Sequence, residues 1–457
     1  MKLNRRQFNI RGFKAALGLS LGSAITGLPL GFLLRRDIQA AELPHKFLIL
    51  SMSGDGEPMN VNGPGAWGSE LASTIRHPSS NISAGIASSE INGTLYTAAD
   101  IANSAPLMLG DQRVEAARCY QALPEGFLRN LSYNLYNSGV QAHPEFKRVI
   151  TVHGHIVGQD NTGVSTLASA IAEEMGPLLG TSTALPFVIS GNFTHKGVPI
   201  TPYAPLVLKE TMLSRGNVLG GARNFGHAYD HLMNRVYSDV RSGGNPTHRA
   251  FLDRYANSRA DATMLGDQLT ALLEDVQGNS EADAFKAALA LIKIRFAPVI
   301  VVKHDYGRDN HADENLEREA SATLNMMQAL NVYWDKAGEL GLRDEVVYAT
   351  LDVFGRNPGG VDSSGGRGHF GVFTAGMIHG SHITGGLVGG ITQGGRDNNQ
   401  VVAAPFNTLD GTIRNPNVSG SDTLAAYAKT IMTAVGMPEA RRNLRMPLAQ
   451  VIQSLFT

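Results

Sequence analysis

The residues of this chain best suited to chemistry are carboxylates and imidazoles that follow short apolar runs. They are Asp55 in SMSGDGEP, Asp309 and His311 in HDYGRDNHADE, Asp352 in LDVFGRN, and His369 in GRGHFG. Apolar runs such as KFLIL, FAPVIVVK and DEVVYAT precede several of them and are typical of buried strands. Because ligands bind at the carboxyl ends of strands in open α/β sheets, we expect these side chains to meet at one edge. Together they would provide the ligands of a divalent metal site.

The Asp309 and His311 pair is the richest part of this pattern. The spacing D-x-H places both side chains on one side of an extended segment. One hard and one borderline ligand favour zinc, with manganese or calcium as alternatives. The competing interpretation is a loop that caps the following helix, with Asp309 or Asp313 as the cap. Asp55, between two glycines, has a simple turn as its alternative.

Two further residues are candidates for contact with a substrate. Arg356 follows Asp352 in the segment LDVFGRN and could bind an anion, or else form a structural salt bridge. Thr162 lies in HGHIVGQDNTG, close to the expected start of a helix, where phosphate or sulfate oxygens bind well. Thr162 is therefore a candidate nucleophile, with Ser165 as second choice and simple helix capping as the alternative.

Composition narrows the class of protein. The chain has 457 residues, 43% of them hydrophobic, and a formal net charge of −1, so nothing predicts a nucleic-acid partner. The single cysteine, Cys119, excludes an intrachain disulfide.

The N-terminal segment, residues 1–41, has the pattern of a twin-arginine export signal. Arg5 and Arg6 precede a mildly apolar run rich in Gly and Ser, and cleavage is expected near Ala40 or Ala41. An N-terminal membrane anchor is the alternative, since the run is about long enough to span a bilayer. The signal predicts a periplasmic or secreted protein without a stable membrane span after cleavage.

Alternating strand and helix patterns predict one α/β domain over residues 42–457. We expect a doubly wound, mostly parallel sheet with helices on both faces and a helical insertion around residues 205–290. The strands are expected at 46–52, 146–154, 184–191, 296–303 and 344–355, and a strand or a strand with a turn is expected at 369–380. Helical spacing of apolar residues predicts helices at 111–138, 163–176 and 314–341 and at the C-terminus.

In their order, these segments resemble a family of twin-arginine-exported bacterial proteins with a domain of unknown function, within the alkaline phosphatase/sulfatase-like superfamily. The resemblance rests on SGDGEPMN, AHPEFKRVITVHG, RDNH, ATLDVFGRNP, GRGHF and MIHGSHITGGLVGG. It implies an alkaline phosphatase-like fold with metal at the carboxyl edge of the sheet, and Asp55, Asp309, His311 and His369 match ligand-like positions. The chain departs from the family pattern at Val353, where the family has Glu, and at Gly368, where it has Asp.

Two functional hypotheses follow. The first is an exported metal-dependent hydrolase of a small anionic substrate, a phosphate or sulfate ester, in which a metal activates Thr162 or a water molecule. The second is a non-catalytic exported protein with a degenerate site that holds one metal or none and acts in envelope assembly or binds another exported protein. The substitutions at Val353 and Gly368 favour the second.

Overall fold

The computed structural model describes most of the chain after residue 44. The described residues are 45–56, 58–65, 87–158, 164–191, 193–213, 235, 238–243, 245, 249, 264–304, 309–313, 316–358, 363–394 and 400–456. The predicted export signal, residues 1–41, and the candidate nucleophile Thr162 lie outside them.

The described part of the chain contains seventeen strands. They are β1 (Phe47–Ser53), β2 (Ser88–Ile91), β3 (Thr94–Thr97), β4 (Ser104–Leu109), β5 (Gln112–Ala117), β6 (Leu131–Tyr136), β7 (Phe187–Val188), β8 (Phe193–His195), β9 (Val198–Ile200), β10 (Val299–Lys303), β11 (Val346–Asp352), β12 (Gly355–Arg356), β13 (His369–Phe370), β14 (Thr374–His379), β15 (Gly386–Val388), β16 (Ile391–Gly394) and β17 (Gln400–Ala403).

The helices are mostly short, with one long exception near the site. They are α1 (Met59–Asn62), α2 (Ala99–Ala102), α3 (Glu125–Leu128), α4 (Phe146–Ile150), α5 (Leu167–Leu179), α6 (Pro205–Leu213), α7 (Glu281–Lys293), α8 (Glu317–Glu339), α9 (Thr423–Ala434) and α10 (Glu439–Arg445). Residues 238–243 and 264–272 are also helical, so the described parts of the predicted insertion include further helix.

Seven strands form the central sheet, in the order β15-β6-β14-β11-β1-β10-β7. All of its strands run in one direction except β14, which is antiparallel to both neighbours, β6 and β11. The predicted mostly parallel α/β architecture is confirmed. Helices α5 and α7 pack against β10, and α9 packs against β6. Every residue of β1 and β11 is buried, as expected for central strands with few alternating polar positions.

The reversed direction of β14 positions the functional site. The carboxyl ends of β1, β6, β10 and β11 lie at one edge of the sheet. Because β14 runs the other way, its N-terminal end lies at that same edge. The loop that leads into β14 therefore meets the loops that leave the parallel strands.

Several predicted elements are confirmed. The strands expected at 46–52, 296–303 and 344–355 correspond to β1, β10 and β11, and the long helix expected at 314–341 corresponds to α8. After this helix the chain turns at Gly341, which has a φ of +66°, a conformation that glycine adopts without steric cost.

Two predictions were wrong within residues 111–154. The segment FKRVITVHG, expected as a strand at 146–154, forms α4 and a 3-10 turn, and Val149 and Ile150 are buried together rather than alternately. The strand at this place in the sheet is β6, within a stretch whose apolar spacing predicted a helix. Its hydrogen-bonding partners, β14 and β15, lie far along the chain, so local spacing does not reveal it.

Two helix predictions also need correction. The segment 447–456, expected to be helical, contains only a 3-10 turn at Gln453–Leu455. Helix α5 begins at Leu167, and its cap is Thr166, whose hydroxyl accepts a hydrogen bond from the Ser169 N–H. The helix start is thus several residues later than the expected start near Thr162. Among the described residues, no helix has the length and apolar character needed to cross a lipid bilayer.

Candidate metal centre

Four side chains converge at the carboxyl edge of the sheet and are called the metal cluster below. They are His143, Asp309, His311 and His369, and one ligand atom from each lies within 4.8 Å of all the others. The Nε2 atom of His369 is central, 2.7 Å from Nε2 of His311 and 3.0 Å from Nε2 of His143. The cluster could hold a metal ion. It contains three of the predicted ligands and adds His143.

The four members of the metal cluster come from three segments of the chain that meet at this edge of the sheet. His143 follows the carboxyl end of β6, and Asp309 and His311 follow that of β10. His369 lies in β13, shortly before the antiparallel β14, whose N-terminal end is at the same edge. The expectation that distant residues meet at this edge is therefore confirmed for Asp309, His311 and His369.

Hydrogen bonds of the Nδ1 atoms orient the rings of two histidines in the metal cluster. Nδ1 of His143 donates to the carbonyl oxygen of Gly54 at 2.7 Å, and Nδ1 of His369 donates to that of Gln141 at 2.6 Å. In a neutral imidazole whose Nδ1 carries the proton, Nε2 carries a lone pair. With both rings neutral, the two Nε2 lone pairs would face each other across 3.0 Å, an arrangement that a bound cation would stabilise.

The donor set fits zinc or a similar transition metal. Three imidazole nitrogens and a carboxylate oxygen are typical ligands of zinc, which binds nitrogen at about 2.0–2.1 Å. Neighbouring ligand atoms of a tetrahedral site would then lie about 3.3 Å apart. The distance from Nε2 of His143 to Oδ2 of Asp309 is 3.5 Å, and the two contacts between imidazole nitrogens are slightly shorter than the ideal value.

The protonation states also suit a metal. Burial lowers the pKa of His369, and the neighbouring His143 and His311 lower it further, which favours the neutral ligand form. Burial opposes ionisation of Asp309. The N–H of His311 and the positive charge of Arg356 outweigh this effect, so the pKa of Asp309 is lowered. Neutral imidazoles and an ionised carboxylate are the forms that bind a cation.

Phe354 forms an apolar wall of the metal cluster. Its ring centroid lies 4.1 Å from that of His369 and 5.1 Å from that of His143. The ring is fully buried. It limits the orientations of both imidazoles and lowers the local dielectric around the ligand atoms.

Arg356 supports the metal cluster from inside the protein. Its side chain is fully buried, and its guanidinium donates to the carbonyl oxygens of Asp55 and Arg367. One of its nitrogens lies 3.6 Å from Oδ1 of Asp309. These contacts favour a role in positioning Asp309 over the predicted direct contact with a substrate anion.

A buried network centred on Glu319 joins the two ligand loops. The Glu319 carboxylate accepts hydrogen bonds from Nε of Arg367 at 3.1 Å and from Nδ2 of Asn310 at 2.7 Å. The Arg367 N–H also donates to the carbonyl oxygen of Asn310. Asn310 lies between Asp309 and His311, and Arg367 lies two residues before His369. The network therefore sets the separation of these three ligands.

The approach of the two loops also depends on Gly366. A Cβ atom at this position would lie 1.7 Å from the carbonyl oxygen of Asn310, far inside the van der Waals distance. Glycine is required here because only a residue without a side chain allows the two backbones to come so close. At Gly368, two residues later, an added Cβ atom would meet open space.

The loop before α8 contains both a candidate metal ligand and a helix cap, the two roles that the sequence leaves open. Asp309 belongs to the metal cluster, whereas the Asp313 carboxylate accepts from the N–H groups of Arg318 and Glu319 at the start of the helix. The capping interpretation therefore applies to Asp313, and the metal-ligand interpretation suits Asp309.

Two other predicted ligands do not join the metal cluster. The Asp55 carboxylate pairs with Nζ of Lys303 at 2.7 Å. The Asp352 carboxylate is buried and lies 3.2 Å from Nε2 of His304. Burial raises the pKa of Asp352. Among the described residues, Asp309 is thus the only carboxylate in the cluster.

His143 was missed because the strand before it was not recognised. The segment AHPEF enters the sequence analysis only through the family resemblance, where it precedes the strand expected at 146–154. Had LSYNLY been read as a strand, His143 would have followed its carboxyl end, as Asp309 follows β10. The signal was therefore the position of His143 after a strand.

Comparison with known proteins does not identify a family. No protein-family model matches the chain, and no match was found among the curated proteins. The functional argument accordingly rests on the geometry of the metal cluster.

Proposed function

We propose that this protein is an exported, metal-dependent hydrolase of phosphate or sulfate esters with an alkaline phosphatase/sulfatase-like fold. The convergence of His143, Asp309, His311 and His369 at the carboxyl edge of the sheet carries this proposal. The mostly parallel sheet supports the fold assignment. The twin-arginine pattern of residues 1–41 supports export, to the periplasm or beyond.

The side chains would have different roles in such a site. A divalent ion, with zinc favoured and manganese or calcium as alternatives, would polarise the ester and lower the pKa of a bound water or hydroxyl. His143, His311, His369 and Asp309 would hold the ion, and Arg356 would keep Asp309 in place. The nucleophile is a water molecule or Thr162.

Metal reconstitution tests the proposal. The purified protein, stripped with a chelator, should hydrolyse p-nitrophenyl phosphate or p-nitrophenyl sulfate only after addition of zinc, manganese or calcium. His311→Ala should abolish this activity, whereas His155→Ala, which changes an exposed histidine, should leave it intact. Absence of hydrolysis with every ion would refute the hydrolase.

A non-catalytic exported protein that retains the metal cluster is the second candidate. The observation that favours it is the ion pair between the Asp55 carboxylate and Lys303, because it leaves the metal cluster with one carboxylate among the described residues. The departures from the family pattern at Val353 and Gly368 also favour a non-catalytic protein. Alanine replacement of His311 and His369 discriminates between the two candidates. An enzyme would lose turnover with little change in fold, whereas a protein that acts by binding an exported partner would keep that partner.

A further inference from the structure

A histidine that has no part in the proposed chemistry contacts the chain beside the metal cluster. The side chain of His153 is half-buried, and its Nε2 atom lies 2.7 Å from the carbonyl oxygen of Ser138. Because a carbonyl oxygen only accepts, Nε2 of His153 carries the proton and donates it. Ser138 lies between β6 and His143, so His153 contacts the segment that leads to a candidate ligand.

The backbone around His153 is held in an unfavourable conformation. Val152, His153 and Gly154 follow one another with φ angles of +51°, +54° and +82°. The left-handed region is costly for a β-branched residue such as Val152, and such a cost persists only where surrounding contacts enforce it. Val152 is buried, and the turn directs the imidazole of His153 at Ser138. Conformations of this kind concentrate at functional sites.

The segment that His153 contacts depends on individual hydrogen bonds for its position. Residues 137–143, called the His143 segment below, lead from β6 to the ligand, and residues 137–142 belong to no helix or strand. The N–H and the Oγ of Ser138 both donate to the carbonyl oxygen of Gly371, at 2.9 and 3.0 Å. Further along, the carbonyl oxygen of Gln141 accepts from Nδ1 of His369 at 2.6 Å.

These contacts connect His153 with two members of the metal cluster. Ser138 is the residue at which the His143 segment meets both His153 and Gly371, and Gly371 lies two residues after His369. At the other end of the segment, Nε2 of His143 lies 3.0 Å from Nε2 of His369. A shift of Ser138 would therefore change the separation of the two imidazoles. Displaced ligands bind a metal ion more weakly, because the ion requires a fixed geometry.

We propose that His153 is a positioning residue of the metal cluster, which holds Ser138 and thereby sets the separation of the imidazoles of His143 and His369. In this role it contacts the His143 segment rather than the ion or the substrate. This inference deepens the proposed function and rests on it for the presence of a metal ion.

The test compares the zinc affinity of three variants by competition with a fluorescent zinc chelator. In His153→Ala the dissociation constant should rise by about 10-fold, the lower end of the effect of losing a group that orients a ligand. His153→Gln should restore most of the affinity, because its amide nitrogen can donate to Ser138 in place of Nε2.

His195→Ala is the matched control for this comparison. His195 is also half-buried, and its Nδ1 lies 2.9 Å from Oγ of Ser169, but it is not one of the clustered ligands. Zinc affinity should therefore be unchanged in His195→Ala. Wild-type zinc affinity in His153→Ala, or an equal loss of affinity in His195→Ala, would overturn the proposal.

Two further measurements separate positioning from a general loss of stability. Urea unfolding in the presence of a chelator gives the stability of each variant without metal, and a purely structural histidine would lower this stability while zinc affinity stayed the same. Visible absorption of the cobalt-loaded protein reports coordination geometry. The spectrum of His153→Ala should differ from that of the wild type, whereas the spectrum of His195→Ala should match it.

The outcome is separable from that of the hydrolase proposal. Zinc and cobalt binding are measured without turnover, so weaker binding in His153→Ala supports the positioning role even if no ester is hydrolysed. Conversely, metal-dependent hydrolysis together with wild-type zinc affinity in His153→Ala refutes the role of His153 alone. Absence of zinc binding by the wild type would overturn both proposals.

Discussion

Replacement of His369 by alanine is the most direct test of the metal cluster. The substitution removes the imidazole whose Nε2 lies within 3.0 Å of the Nε2 atoms of both His143 and His311. Three ligands would remain, without the nitrogen at the centre of the set. Loss of a partner that merely orients a ligand costs about 10–100-fold in metal affinity, so loss of this ligand should cost at least about 100-fold.

The same change has a predictable effect on stability. At a free zinc concentration of 100 times the wild-type dissociation constant, binding stabilises the folded protein by about 2.7 kcal/mol. With a 100-fold weaker site, the same zinc concentration stabilises the variant by only about 0.4 kcal/mol. The wild type and His369→Ala should therefore differ by about 2.3 kcal/mol more with zinc than with a chelator.

Two measurements check this prediction. Competition with a fluorescent zinc chelator gives the dissociation constants, and urea unfolding with and without zinc gives the free energies of unfolding. His155→Ala is the control, since this histidine is exposed and is not one of the clustered ligands. Equal zinc affinity of His369→Ala and the wild type, or no zinc stabilisation of the wild type, would refute the reasoning.

Three further changes probe the supports of the site and the core. Glu319→Gln removes the negative charge that faces the buried Arg367, so urea unfolding should show a loss of about 3–5 kcal/mol in the free energy of unfolding. Glu339→Gln, an exposed change on the same helix, should cost less than about 0.5 kcal/mol. Gly366→Ala should lower zinc affinity by about 10–100-fold, because the new Cβ would collide with the loop that carries Asp309 and His311. In the control Gly368→Ala, the new Cβ meets open space, so this variant should bind zinc as the wild type does. Equal zinc affinities of the two variants would contradict this account. Burial lowers the pKa of His379 from its usual 6.5 to about 3. Between these pH values the unfolded chain binds a proton that the folded chain does not, so stability falls as pH falls, by up to about 1.4 kcal/mol per pH unit. His379→Phe should flatten this dependence in urea midpoints measured against pH, and an unchanged slope would count against it.

The sequence predicts the strands that are continuous apolar runs. β1, β10 and β11 are such runs, and their side chains are buried throughout or nearly so, which gives a strong local signal. The strand β6 carries Ser132 and Asn134 among its buried residues and is completed only by distant strands. This segment becomes a strand by pairing with those distant strands, so the local spacing of its apolar residues gave the wrong prediction.

The candidate site shows the same division. Asp309, His311 and His369 could be predicted because each lies in a polar stretch of sequence next to an apolar run. His143 was not predicted, since it follows β6, a strand that local spacing does not reveal. The sequence also suggested Asp55 as a ligand, and it contains no information about the pairing of that carboxylate with Lys303.

The sequence by itself determined the α/β class, the central strands and the kinds of ligand available, because these follow from hydrophobic periodicity and side-chain chemistry. Only the tertiary structure decided which ligands meet. The antiparallel course of β14 brings His369 to the edge where β6 and β10 end, and the buried Glu319 network sets the separation of the loops. Such proximity depends on strand direction and on contacts between segments far apart in the chain, and no local pattern encodes either.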